Sequence, residues 1–265
     1  MTEEELKRKL QREHAIDDLL IQSMADHIGS VDSELRDELI YGTFSTWIME
    51  GRLKGDQLAE LLDISLELLF KGIGESGTDT VFTRSFASLW IAAILYSDNK
   101  HDFLPEAAIE KTHEALLAYM PAEQDIRGYV PVKGWAHSVA HAADAFDELV
   151  KNPKLDAAAY PELAKALWNK IFISESVYVH AEEERLLMPL LEMLERGMDL
   201  KVIEDLLTEM PEKVLLQKQQ LPEENYWFLV ANCKGLLKSF YVETGKKLNL
   251  SILQKNIGES LKAME

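Results

Sequence analysis

The stretch VFTRSFASLWIAAIL, Val81 to Leu95, places apolar side chains around almost the whole circumference of a helix. Such a helix is stable in water only when it is covered on every side, so it reads as the buried centre of an all-helical protein. Helical periodicity continues outward in both directions, while alternating strand patterns and Asn-Gly or Asp-Gly hairpin signals are missing. The fold class is therefore all-α.

Gly and Pro punctuation divides the chain. Thr2 to Ile28 reads as one broken helix or two short ones capping the array, ended by Gly29 and Ser30. Helix pairs then follow: Asp32–Glu50 with Lys54–Lys71, Thr78–Tyr96 with Pro105–Tyr119, and Lys133–Val150 with Tyr160–Ile173. Ala181–Arg196 with Leu200–Glu209, and Glu223–Glu243 with Ser251–Met264, complete the series. First helices begin roughly every 42 to 55 residues, close to the spacing of HEAT and armadillo repeats, so the expected architecture is a superhelical array of stacked pairs. A compact irregular helical domain is the alternative. No composition shift or Pro-rich linker divides the chain, which is expected to be one domain over residues 1–265. In it, residues 1–30 cap about five helix pairs in 31–265.

Asp and Glu number 46 against 28 Lys and Arg, giving a formal charge of -18 that repels phosphate backbones and anionic lipid. Nucleic acid and membrane are thereby poor partners. The only cysteine, Cys233, excludes an internal disulfide and a thiolate metal cluster, and reads as buried filler. The opening MTEEELKRKL lacks the apolar core of a secretory signal, and no apolar run approaches the roughly 18 residues of a membrane span. A soluble cytoplasmic protein is expected.

The chemistry concentrates in DIRGYVPVKGWAHSVAHAAD, Asp125 to Asp144. On a helix from about Lys133, His137, His141 and Asp144 fall within about 60° of one another, and Glu148 extends the stripe. Trp135, Val139, Ala142, Phe146 and Leu149 form the opposite, core-facing stripe. Two imidazoles with a carboxylate suit one divalent metal such as Zn, Fe, Mn or Ni, although His-x-x-x-His is common and the Glu of the metalloprotease helix is absent. His180 and Glu184, four residues apart at the next pair's first helix, are candidate further ligands. Against this, Glu182 to Glu184 suit a helix N-terminus, and Arg185 suits an ion pair.

Arg84 lies inside the apolar helix, where a guanidinium must find a partner or face a cavity. A structural network would pair Asp125 with Arg127 or Arg84 and let Asp144 orient a histidine. Alternatively Arg84, Arg127 and Lys133 form a cationic spot for a carboxylate or phosphate, lined by Tyr129 and Trp135. A Ser-His-Asp nucleophile has little support, since no G-x-S-x-G elbow accompanies Ser138.

VFTRSF (Val81 to Phe86), the Asp125 to Asp144 block and HAEEERL (His180 to Leu186) resemble an uncharacterised bacterial family, catalogued as a domain of unknown function. The resemblance covers most of the chain after about residue 30. It implies an all-helical protein and picks out Arg84, Asp125, Arg127, Trp135, His137, His141, Asp144 and Arg185, with Glu183 and Glu184 as the acidic pair before the arginine. It supplies positions and no chemistry.

Two functions follow as expectations. One is a helical-repeat protein whose surface, organised by the His/Asp/Arg cluster, binds a protein or small-molecule ligand. The other is a metal-dependent hydrolase or oxygenase using His137, His141 and Asp144.

Overall fold

The computed structural model describes residues 1–12 and 15–264, so the part of the Thr2–Ile28 expectation on residues 13 and 14 lies outside the described residues. The chain is all-α, with one two-stranded hairpin as the only sheet among the described residues. It contains two compact units, Met1–Leu155 and Asp156–Glu265.

In the first unit, helices α1 (Glu3–Leu10) and α2 (Asp18–Asp26) precede a π-helical stretch, Glu34–Tyr41, that runs directly into α3 (Gly42–Met49). Then come α4 (Gly55–Leu68), α5 (Thr80–His101) and α6 (Glu106–Ala122). Strands β1 (Tyr129–Val130) and β2 (Gly134–Trp135) form the hairpin, and α7 (Ser138–Lys151) closes the unit. Helix α5 is the apolar centre the sequence implies: it packs on α3, α4 and α7, with α6 against α4 and α7. Trp90 is fully buried and stacks on Phe44 at 4.4 Å, and Phe82, Ile91, Ile94 and Leu95 of the same helix are also fully buried.

Two expectations are corrected here. The helix predicted from Lys133 starts only at Ser138, because the preceding residues form the hairpin. The helix expected to end at Tyr96, with the polar SDNKHD run after it as a turn to the next helix, instead continues through that run to His101 and is capped by left-handed Asp102. Its polar residues are used internally. Buried Asp98 accepts the Phe103 and Leu104 N–H groups at 2.8 and 2.6 Å and is met by Asn152 and Lys154 at 2.7 and 2.9 Å.

The second unit contains α8 (Tyr160–Asn169), α9 (Glu182–Glu195), α10 (Leu200–Gln217), α11 (Glu223–Gly245) and α12 (Ser251–Ala263). Helix α11 packs on α9 and α12, and α10 on α8, α11 and α12. Helix α10, predicted to end at Glu209, continues through Pro211. Proline cannot donate to the carbonyl four residues back, here that of Leu207. Ser260 Oγ of α12 donates to that carbonyl at 2.9 Å, so the orphaned acceptor is satisfied and the helix persists. Among the described residues, no helix is long and apolar enough to cross a membrane.

Burial raises the Asp98 pKa, but the Leu104 N–H, Lys154 and Asn152 outweigh it and hold the carboxyl below its ordinary 3.8. Its contribution is therefore fully present above that value and lost as pH falls through the lowered one. Asp98→Asn should cost about 1–3 kcal/mol at neutral pH. In urea unfolding followed from pH 7 to 3, the variant should also show a shallower acid loss than the parent; identical acid limbs would contradict the assignment.

Candidate functional site

Arg84 and Glu123, both fully buried, meet through two parallel bonds, Nε to Oε2 at 2.6 Å and Nη2 to Oε1 at 2.9 Å. A charge removed from water needs every remaining donor and acceptor met. Arg84 Nη1 reaches the Lys71 and Gly72 carbonyls, both at 3.0 Å, and Thr80 Oγ1 at 2.9 Å. Glu123 also accepts the Tyr119 hydroxyl at 2.7 Å and the Asp125 N–H at 2.8 Å. Burial opposes the Arg84 charge, and Glu123 more than restores it. Burial, together with the charge of Glu123, pushes the Tyr119 hydroxyl pKa well up.

The Asp125 N–H passes the network to a second pair. Buried Asp125 binds Arg127 through Nε at 2.8 Å and Nη2 at 2.6 Å, and accepts the Gly77 N–H at 2.9 Å. Arg127 Nη2 also donates to the Thr78 carbonyl at 2.6 Å, and Ser138 Oγ donates to the Asp125 carbonyl. The chain after α4 and the chain after α6 are thereby tied to the start of α7.

The hairpin rises from this base. Val130 and Lys133 close a turn, with the Lys133 N–H 3.1 Å from the Val130 carbonyl, Pro131 at its first corner and Val132 at φ 72° at its second. Tyr129 pairs with Trp135 and Val130 with Gly134. The ladder continues through the Ala136 N–H to the Gly128 carbonyl at 2.8 Å and the His137 N–H to the Arg127 carbonyl at 3.0 Å.

A second buried guanidinium, Arg36 of the π-helical stretch, holds the hairpin's other edge. It donates to the carbonyls of Ser30 and Lys133 at 2.7 Å and of Trp135 at 3.4 Å. Its carbon lies 4.3 Å from the Phe82 ring centroid and 4.8 Å from that of Phe86, within cation–π range. Asp37 Oδ1 is 2.7 Å from Arg36 Nε. Gly134 is required where it stands: its φ is +80°, and a Cβ would lie 2.8 Å from the Ser33 Cβ.

Tyr129, Val132 and Trp135 are exposed at 50%, 95% and 39%. Trp135 stacks on His137 at 4.4 Å and 28°, with Tyr129 edge-on to Trp135 at 5.1 Å. His137 caps α7 from the left-handed region, φ 49°, and the His141 ring stands edge-on to it at 5.6 Å. Nearly buried His141 meets Ser85 Oγ through Nδ1 at 2.8 Å, and Ser85 Oγ also donates to the Ala136 carbonyl.

Arg84, Asp125, Arg127, Tyr129, Lys133, Trp135, His137 and His141 are thus gathered at one end of α5 and α7. Three details differ from the sequence reading. Trp135 is on β2 and half-exposed, not in the core stripe, because the hairpin precedes the helix. His137 is a cap, so only His141 and Asp144 lie within the helix. The three cations expected as one spot are divided among Glu123, Asp125 and Asp79, Lys133 meeting Asp79 at 2.6 Å.

In the second unit, His180 precedes α9, which is entered through left-handed Ala181. Its carboxylate neighbour is Glu182, not Glu184: Glu182 Oε2 accepts the His180 N–H at 2.8 Å, and Oε1 is 3.8 Å from Nδ1. Glu184 is exposed beside Leu187 and Lys238, and Arg185 is exposed in the first turns of α9. Sequence reasoning missed Glu123, Arg36 and Ser85, and read Glu182 only as a helix N-terminal charge. The unpaired charge at Arg84 was the one signal that an acidic partner had to exist.

Breaking a buried pair strands the surviving charge, so Arg84→Met should lower unfolding free energy by about 3–5 kcal/mol. Arg84→Met combined with Glu123→Leu should be less destabilised than the sum of the two single variants in urea unfolding. Strict additivity, or an Arg84→Met loss under about 1 kcal/mol, would contradict the coupling.

Residues 69–242 match the family described as "Protein of unknown function (DUF2785)". No curated protein and no solved structure matches the chain. The matched range contains α5, Glu123, Asp125, the hairpin and α7, whereas Arg36 lies before it.

Proposed function

The chain belongs to this family of unknown function, and we propose that it is a helical-repeat binding protein whose recognition element is the Tyr129–Trp135 hairpin. The carrying observation is Val132, a β-branched residue at φ 72° and 95% exposed. A left-handed conformation costs such a side chain on the order of 1–3 kcal/mol, and an exposed one recovers little by packing. Tyr129 and Trp135 flank it, with aromatic area that gives contact energy at small entropic cost. Buried Arg36, Arg84 and Asp125 hold the base of this element, and rigidity before binding favours affinity.

Support for the repeat reading comes from neighbours within each unit. In the first unit α3 touches α5, α5 touches α7, and α4 touches α6; in the second α9 touches α11, and α8 and α12 both touch α10. Alternate helices side by side are what stacked pairs produce. The charge of -18 favours a protein or small-molecule partner over nucleic acid or anionic membrane.

Val132→Gly should raise the unfolding free energy by about 1 kcal/mol, through relief of the left-handed penalty, while weakening partner capture. With a photo-crosslinking amino acid at position 132, one defined partner should form adducts in cells, and Trp135→Ala should remove them with little change in Tm. Adducts that persist in Trp135→Ala would contradict the assignment.

A further inference from the structure

In the second unit a trough runs between α8 and α10. Two cavities lie end to end in it, of about 440 and 390 Å³, and share Asn169 and Lys213 in their walls. Helix periodicity builds those walls. Pro161, Lys165 and Asn169 recur every four residues on α8, and Val202, Leu206, Glu209, Lys213 and Leu216 every three or four on α10, so each helix turns one face to the trough. From Val202 to Leu216 the α10 face extends about 21 Å at 1.5 Å per residue.

The lining changes along this length. Past Asn169 the trough is apolar, formed by Phe172, Leu216, Leu221 and Leu229. Leu216 is 60% exposed, an apolar side chain left in water at the edge of a cavity. The middle carries amides. Asn169 and Gln217 each offer a donor and an acceptor, the complement of a peptide group, and neither side chain is bonded within the described residues.

The other end is charged, and its charges are unequally matched. Lys201 pairs with Asp205, Lys213 meets Glu209 at 2.8 Å, and Asp199 caps α10 by accepting the Lys201 N–H at 2.9 Å. Lys165 has no ion pair among the described residues, so this end complements a carboxylate. Lys165 stands one helical turn, about 6 Å, before Asn169, and the apolar end begins beyond Asn169.

We propose that this trough binds an extended peptide segment of a partner protein, with an apolar side chain held at Phe172 and Leu216 and an acidic one at Lys165. At about 3.3 Å per residue, about six residues fill the trough, and the two anchors are about three residues apart. A chain of unlike units matches a lining that passes from charge to amide to apolar, whereas a uniform acyl chain does not. Backbone groups meet the amides, and the anchors supply the specificity. This is a second recognition surface, carried by residues that the hairpin reading does not use.

The test uses full-length protein and pools of fluorescent, acetylated and amidated heptapeptides, read by anisotropy. One pool carries Leu and Glu three positions apart in either order, the rest being Gly, Ser, Thr or Ala. Matched pools carry Gln or Lys in place of Glu, or Ala in place of Leu. The parent should bind the Leu/Glu pool at least about 10-fold more tightly than any matched pool. Leu216→Asp should weaken that binding at least about 10-fold, and Lys165→Glu should reverse the preference from Glu to Lys, both with unchanged Tm because both side chains are exposed. No binding, equal binding of all pools, or a Lys165→Glu variant that still prefers Glu would overturn the proposal. Saturable binding of decanoate that Leu216→Asp abolishes, with no peptide bound, would also overturn it and assign the trough to a small amphiphile. Every variant lies in the second unit, so the outcome is separate from whether position 132 contacts a partner.

Discussion

The first unit depends on the bidentate bond between Arg84 and Glu123. A guanidinium inside an otherwise apolar helix is tolerated only if its charge is matched and its donors are occupied. Meeting that requirement draws the Lys71 and Gly72 carbonyls, Thr80, Tyr119 and the Asp125 N–H to one point. The irregular chain on either side of α5 thereby becomes a fixed frame. Its order comes from buried polar bonds, and the hairpin inherits that order through Asp125 and Arg127.

A second constraint acts from the other side. Arg36 is sealed between Phe82 and Phe86 and donates to the hairpin carbonyls at Lys133 and Trp135. Two anchored edges allow what isolated two-residue strands cannot sustain, a short hairpin that keeps its shape at the surface. They also support left-handed Val132 and His137 without glycine. The strained positions and the exposed aromatic rings occur in the same dozen residues, and this coincidence gives the hairpin its functional reading. The His141–Ser85 contact lies just beneath, at the first turns of α7.

What was legible in the sequence follows from the range of each interaction. The all-α class and the central helix were readable because VFTRSFASLWIAAIL leaves no polar face, whatever its neighbours. The chemical importance of Asp125 to Asp144 was readable from residue types, as was the need of Arg84 for a partner. Glu123 was hidden because it is one acid among 46 Asp and Glu, 39 residues from Arg84. The hairpin was hidden because two-residue strands show no alternation, although Pro131 and Gly134 marked its turn. Residue type does not report a left-handed histidine, so His137 was placed in the helix it caps. Pro211 reads as a stop unless Ser260, 49 residues further on, is known to satisfy the Leu207 carbonyl.

The central claim is that buried ion pairs make the hairpin part of the rigid core, and native-state hydrogen exchange tests it most directly. The amides of Asp125, Ala136 and His137 are bonded to Glu123, Gly128 and Arg127. They should exchange only through openings close to the free energy of unfolding of the first unit, like the amides of α5. Exchange of these three amides at the rate of an open loop, with α5 still protected, would contradict the account.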